Sequence, residues 1–362
     1  MVLAVLLSTI ALLAGFGTYT YLATHSNEPT IVVYTYPSLL GGGCGGAQYG
    51  PVFGAFASTH HVHFELECPS GTLSSTLIEQ ADAPAADLVI GLDEITAPQA
   101  EAAHVLVPYR SPALADIPSA IQAELSPDAA ATAYEWGYLG IDYCAAFANA
   151  TRGAIAHSAF PDFASNSTWA RNLLLENPTS DITGEEFLLW EIAFATHVLH
   201  TDWQSWWRAV ASKVTTSDTW GDGFGAYTCA PGTPQTFSSY LLDPAYAAGT
   251  GGAPSFNSTV SEWNGTQYGW RAAYGVGIVA GSAHVPVDEQ FVDWFLSPSV
   301  QQLLPTNEWE YPANATTPLP PVFSAAPDPN TIVPLNDALP PSEINQQLGT
   351  WLTEWQAIEN GP

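Results

Sequence analysis

The sequence predicts an α/β fold built on a mainly parallel sheet, in a chain long enough for two lobes. Two observations lead there. Over roughly the first hundred residues after an apolar start, short runs rich in β-branched and aromatic side chains alternate with helical periodicities, the pattern of βαβ units. Removing about 25 residues of that start from the 362 leaves roughly 335, against about 150 for an ordinary domain. A third observation removes disorder as the main state: 47% of residues are apolar and 12% aromatic, enough to build a sizeable core.

Ile31–Tyr36 (IVVYTY) reads as the first strand and runs into the glycine-rich loop GGGCGG. Pro51–Ser58 has helical character, and His61–Glu67 alternates as a second strand. Thr72–Ala81 follows as a helix, Ala86–Leu92 (ADLVIGL) as a buried strand, and Asp93 opens the next helix. Ligands on such sheets bind beyond the carboxyl ends of strands. Here those ends are Tyr36 with its loop, Pro69-Ser70-Gly71, and Asp93.

The middle of the chain changes character. Thr132–Phe147 is a long aromatic strand, and Thr183–His200 a helix with Glu185 and Glu186 in its first turn, where the helix dipole favours acids. Trp203–Ser212 is helical, and Ser238–Tyr246 (SSYLLDPAY) is a strand running into a turn. Arg271–Gly281 is a further strand, followed by the helix Asp288–Phe295. Thr317–Pro341 is proline-rich and extended, and Ser342–Glu359 closes as an amphipathic helix with Leu348, Trp351, Leu352 and Trp355 at helical spacing. No internal repeat is visible.

Charge sets limits on partners. Six Lys+Arg face 35 Asp+Glu, a formal net charge of −29. Ordinary nucleic-acid binding, which needs cations against phosphates, is excluded, and the balance argues against docking on anionic lipid through basic patches. Such a surface stays soluble by self-repulsion and tolerates salt.

Residues 2–22 carry no charge and match the length of a membrane-spanning helix. They lack the Lys/Arg start of an ordinary signal peptide. The expectation is an uncleaved anchor or an atypical signal within residues 1–30, with Thr24–Thr30 as tether and the remainder exported, so that only this segment meets the membrane. Sequons at Asn149, Asn166, Asn257, Asn264 and Asn314 suit a glycosylated extracellular surface. Cys44, Cys68, Cys144 and Cys229 form an even set without CxxC spacing, which outside the cell favours disulfides over a metal site. Cys44 follows the first strand and Cys68 ends the second, so the expected pairs are 44–68 and 144–229.

Chemistry-bearing motifs are sparse. His60, His61 and His63 lack a carboxylate or cysteine at ligand spacing, and His197 with His200 lacks the HExxH acid, so no metal is expected. No nucleophile elbow or Walker loop occurs, and an enzyme is not expected. The aromatic residues say more. Tyr36, Tyr49, Trp220, Tyr240, Tyr246 and Trp309 fall at strand ends or in Gly/Pro-flanked loops, with Asp181, Asp222 and Asp243 nearby. Aromatic faces hold flat ligands and attract cations, by roughly 0.5–2 kcal/mol each. Such a set suits a cationic heteroaromatic ligand in a cleft between two lobes.

The segments VVYTYPS, ADLVIGLD, YEWGYLGIDY, ENPTSDITGEEFLLW, TTSDTW, SYLLDPAY, VDWFLSPSVQQLLPTNEWEYP and TWLTEWQ run in the order and approximate spacing of the thiamine ABC transporter's extracellular substrate-binding proteins. The chain resembles that family over most of residues 31–358. The resemblance implies a two-lobed periplasmic-binding-protein type II fold with crossing hinge strands, preceded by the N-terminal hydrophobic helix. The N-lobe would be 31–134 plus 271–312 and the C-lobe 135–270 plus 313–362. It further implies thiamine or its phosphates as transported ligand, ABC permease subunits as partners, no cofactor, and a monomer.

Carried across by position, Tyr36 matches an aromatic at the first strand end, and Tyr49 stands where the family has Trp before Gly-Pro. Ser70-Gly71 stands for an Asp-Gly, and Asp181-Ile182 for a Ser-Thr pair. Trp220 matches the ring-stacking Trp. Tyr240, Leu241, Leu242 and Asp243 match a ligand-contacting strand end, with Tyr246 three residues on, and Trp309 matches a late Trp before Tyr-Pro. The polar set departs from the family: Ser70 replaces an acid, and Asp181 replaces a hydroxyl and would repel a phosphate. A polyamine or, less well, ferric iron remains the alternative cargo, and from another class a secreted hydrolase would need a nucleophile–base pair that the sequence does not show.

Overall fold

The computed structural model describes residues 28–44, 49–251 and 256–361. The apolar segment 2–22 lies outside them, as do 24–27 of its tether. Among the described residues no helix is long and apolar enough to cross a membrane.

The first βαβ units form as the sequence predicts. Strands β1 (Thr30–Tyr34), β2 (His63–Glu67) and β3 (Leu88–Leu92) are parallel, with β1 between the other two. Short β4 (Leu106–Val107) precedes the long β5 (Ala131–Cys144). Beyond β5 come β6 (Leu173–Glu176), β7 (Thr215–Ser217), β8 (Thr236–Tyr240) and β9 (Phe256–Thr259). The chain continues through β10 (Ser261–Trp263) and β11 (Thr266–Gly269) into β12 (Arg271–Val279), then β13 (Tyr311–Pro312) and β14 (Ile332–Pro334). The large sheet runs β2–β1–β3–β12–β5–β8–β6–β7, with β4, β9 and β13 added along β12 and β5. A separate small sheet holds β10, β11 and β14.

The sheet is mixed rather than mainly parallel. Its flanks are parallel, while β12 and β5 run antiparallel to their neighbours at the centre. The cause is the length of β5. Residues 131–138 pair with β12, and residues 139–143 with β8, so one strand serves both halves of the sheet. It is buried along nearly its whole length, which accounts for its nearly continuous apolar and aromatic sequence. It also carries Glu135 and Asp142 into the interior.

Two large apolar clusters flank this crossing. One gathers Ile31, Val33, Leu88, Ile90, Tyr134, Ile278 and Phe291. The other gathers Phe160, Phe187, Trp190, Trp207, Trp270 and, from the closing helix Pro341–Glu359, Trp351 and Trp355. Arg271 sits at the crossing, buried, bonded to both Glu124 oxygens at 3.0 and 3.1 Å and lying over the Trp136 and Tyr138 rings. Cys44 pairs with Cys68 and Cys144 with Cys229, each with Cα atoms 5.6 Å apart.

Several boundaries differ from the sequence reading for local reasons. Asp93 does not open a helix directly: its Oδ1 accepts Ile95 N at 2.9 Å and Thr96 N at 2.7 Å, and the helix runs Thr96–Ala102. The long strand ends at Cys144, and 145–150 is helical. The segment DPAY is not a turn but the opening of the helix Asp243–Thr250, where an acid and a proline in the first turn suit the dipole and the free N–H positions. β6, β7 and the helix Trp220–Ala226 escape periodicity arguments, the strands being short and the helix (WGDGFGA) glycine-rich. Of the five sequons, Asn314 is buried, its Oδ1 accepting from Thr316 N at 2.9 Å, which removes it from the expected exposed set. The other four asparagines are exposed.

Candidate functional site

A cleft of about 610 Å³ opens at the strand ends, lined from both halves of the sheet. From the β1–β3 side come Tyr36, Ser38, Gly41, Gly91 and Asp93. The crossing strands give Glu135 and Tyr274, and the segment after the helix Leu304–Asn307 gives Glu308, Trp309 and Glu310. From the other half come Asp181, Ile182, Thr183, Trp220, Phe224, Tyr240, Asp243 and Tyr246.

The aromatic residues form a chain of contacts. Trp220 stacks on Phe224 with ring centroids 4.9 Å apart and meets Tyr240 edge-on at 6.0 Å. Phe224 meets Tyr246 at 6.0 Å, and Tyr246 meets Trp309 at 5.5 Å, both edge-on. Tyr240 and Tyr274 join their hydroxyls at 2.8 Å, and Tyr274 lies 6.5 Å from the Tyr36 ring. Two glycines make room. A methyl group on Gly91 would overlap the Tyr36 ring, and one on Gly249 would overlap the Trp309 indole. Trp309 itself has φ +60°, a left-handed conformation costly for a bulky residue and characteristic of functional positions.

Hydrogen bonds hold the rings in place. The Trp220 indole N–H donates to Ser239 Oγ at 2.9 Å, and Ser239 donates to Asp243 Oδ2. Asp181 caps the helix Ile182–Ala193 by accepting Thr183 N at 3.0 Å. Its other oxygen accepts Trp220 N at 2.9 Å, so one carboxylate fixes two helix starts.

Six carboxylates line the cleft: Asp93, Glu135, Asp181, Asp243, Glu308 and Glu310; the lining contains no Lys, Arg or His. Burial pushes Glu308 up to about 7 and Asp243 up to about 6. Burial, and then the neighbouring glutamates, hold Glu135 well above the usual carboxylate range. Burial followed by Asp243 and Glu308 does the same for Glu310. Deeper along the helix Ile182–Ala193, burial and then Asp93 push Glu185 up to about 8. Acids of the two halves thus face one another with no base between them.

The structure brings together Tyr36, Asp181, Ile182, Trp220, Tyr240, Asp243, Tyr246 and Trp309 of the sequence-derived set. It places the others elsewhere. Leu241 and Leu242 are buried among apolar side chains, where their lack of polar atoms belongs. Tyr49 packs half-buried against the β1–β3 core, and Ser70-Gly71 is exposed beyond β2. Sequence reasoning missed Glu135, Glu308, Glu310, Phe224 and Tyr274. A signal existed for the first three: an acid inside a buried strand (YEWGY) and two acids flanking an aromatic (NEWEYP) are unusual where apolar side chains dominate. His61 and His63 do acquire an acid, Glu28, at 3.6 and 3.2 Å, yet among the described residues no group of three His, Cys, Asp or Glu is placed to hold a metal ion.

The fold is that of the two-lobed periplasmic binding proteins of type II. The particular relatives are thiamine-binding. The chain is 23% identical over 343 residues to the thiamine-binding periplasmic protein of Brucella suis, covering 91% of this chain and 92% of that one. Among solved structures, a periplasmic thiamin binding protein superposes with a TM-score of 0.74 at 21% identity, covering 92% of this chain and 96% of that one. The binding protein AfuA from Actinobacillus pleuropneumoniae, with fructose-6-phosphate bound, gives 0.72 at 16% identity, covering 91% and 99%. No protein-family model matches the chain. The relatives are named as binding proteins, not enzymes, and no cofactor is indicated.

Proposed function

We propose that the chain is the exported binding component of an ABC importer and carries thiamine, a cationic heterocycle, in this cleft. The observation that carries the reading is the lining itself: a continuous aromatic wall beside six carboxylates, with no base to neutralise them. Trp220, Tyr246 and Tyr36 would stack on the ligand rings, and Asp243 and Asp181 would supply the negative field. Glu308 and Glu310 join that set.

The two apolar clusters support an N-lobe of 31–134 plus 271–312 and a C-lobe of 135–270 plus 313–362, joined through β5 and β12. A ligand that touches both halves of the cleft favours the closed form onto which a permease docks. A polyamine satisfies the carboxylates equally well but leaves the aromatic wall without flat rings to cover. Ferric iron is disfavoured on this geometry. The lining holds no Lys, Arg or His to bind the companion anion that tyrosine-held iron needs. A mass spectrum of small molecules released on denaturing the purified protein tests the reading: thiamine should be present, and an iron or sugar-phosphate cargo in its place would remove it.

A further inference from the structure

Three cleft carboxylates crowd one another on a single side. Glu135 lies on β5, and Glu308 and Glu310 flank Trp309. The Tyr36 hydroxyl touches Glu135 Oε1 at 3.2 Å, Glu308 Oε2 at 3.0 Å and the Tyr134 hydroxyl at 2.9 Å. The Tyr36 hydroxyl has one proton, so it donates to only one of the two glutamates at a time, while Tyr134 brings a proton of its own. The remaining Glu308 oxygen accepts the Leu40 backbone N–H.

Two oxygens are left without partners: Glu135 Oε2 and Glu310 Oε2. Their residues are only 2% and 6% exposed, yet both line the cleft. A buried carboxylate oxygen without a donor is costly and calls for a partner, whether a water, an ion or a ligand. Room has been kept for this arrangement. A methyl group on Gly137 of β5 would overlap the Glu310 carboxylate, so the strand is hollowed where that acid lies. No ion pair among the described residues neutralises any of the three; the buried arginine, Arg271, is spent on Glu124.

We infer that Glu135, Glu308 and Glu310 form a subsite for a nitrogen group that carries N–H donors, a protonated amine or amino-heterocycle. The aromatic wall on the other side of the cleft takes the ring cation. A quaternary cation without N–H groups gains charge complementarity here but leaves Glu135 Oε2 and Glu310 Oε2 unpaired. The subsite therefore selects amine-bearing cations over fully alkylated ones. It rests on the reading of the cleft as a cation site and goes further by naming the chemistry at one end.

Calorimetric titration of the full chain tests it, with wild type, Glu310→Gln, Glu135→Gln and Gly137→Ala. Glutamine keeps the shape of the protonated acid, and melting curves check folding. Thiamine is compared with an N-alkylthiazolium that lacks the aminopyrimidine. Each glutamine variant should lose about tenfold or more in thiamine affinity beyond any loss for the thiazolium, and Gly137→Ala should behave alike by displacing Glu310. Equal losses for both ligands, or none, would overturn the subsite while leaving thiamine as cargo. Should thiamine not bind wild type, spermidine and choline replace the pair. Spermidine binding lost selectively in the variants would keep the subsite and discard thiamine, and failure of every N–H cation would discard the subsite.

Discussion

The Asp181 carboxylate accepts the Trp220 backbone N–H at 2.9 Å, so the acid that caps one helix also anchors the ring-bearing start of the next. The donors that Asp181 occupies, Thr183 N and Trp220 N, are of the kind that bind phosphate at helix starts. An internal anion already fills that place. Asp181→Ser should narrow the preference for thiamine over thiamine diphosphate, read by competition titration. A wild type that prefers the diphosphate would contradict this role. The same substitution keeps a capping oxygen, whereas Asp181→Ala should cost about 1 kcal/mol of stability in denaturant melts.

Trp220 is held by its indole bond to Ser239 and stacks on Phe224. Trp220→Ala should weaken thiamine binding by about 1 kcal/mol or more, the scale of one cation–π contact. An unchanged Kd by fluorescence or calorimetry would show that the ring faces no ligand.

The sign of the pH dependence follows from the raised acids. In the free protein Glu308 titrates at about 7 and Asp243 at about 6, both because of burial. A bound cation favours their ionised forms, so binding releases protons and weakens as pH falls through 7 and then 6. The loss is roughly tenfold for each unit by which the cation lowers a group. Titrations at pH 8 and pH 5 in buffers of different ionisation enthalpy measure both the affinity and the protons released. Tighter binding at pH 5 is the contrary result.

Stability should move the other way. Glu94 and Glu185, each raised to about 8 chiefly by burial, hold protons in the folded state that the unfolded chain has released. Their contribution is full below the unfolded value of about 4.3 and is lost as pH rises towards 8. The ligand-free melting temperature should therefore fall between pH 5 and pH 8, and the rise caused by ligand should grow. A flat profile would mean these acids are not buried as described.

The Cys144–Cys229 bridge ties the end of β5 to a segment 85 residues on, beside Tyr227 and Phe237. Cys144→Ala with Cys229→Ala should cost on the order of 2–5 kcal/mol, measured by denaturant unfolding with and without reductant.

The βαβ start was legible because Ile31–Tyr34 of β1 and all of β3 (Leu88–Leu92) are unbroken apolar runs, mostly or wholly buried. The disulfides were legible because two strand ends place Cys44 beside Cys68. The aromatic wall was legible only in part: Trp220 precedes a glycine and Trp309 lies between Pro305 and Pro312, but Phe224 joins them through a helix too glycine-rich to read. The central antiparallel pairing of β12 with β5 was hidden, since 133 residues after Tyr138 the chain returns at Arg271 to pair with it, a contact no local pattern encodes. Glu135, Glu308 and Glu310 were hidden for another reason. Among 35 acids, charge does not mark the few that burial turns into a site.

One measurement bears most directly on the central claim: calorimetric titration of the purified chain with thiamine near pH 8. The account predicts saturable binding at one site per chain, with protons released and with binding weakened by Trp220→Ala. No heat and no binding at millimolar thiamine would contradict it.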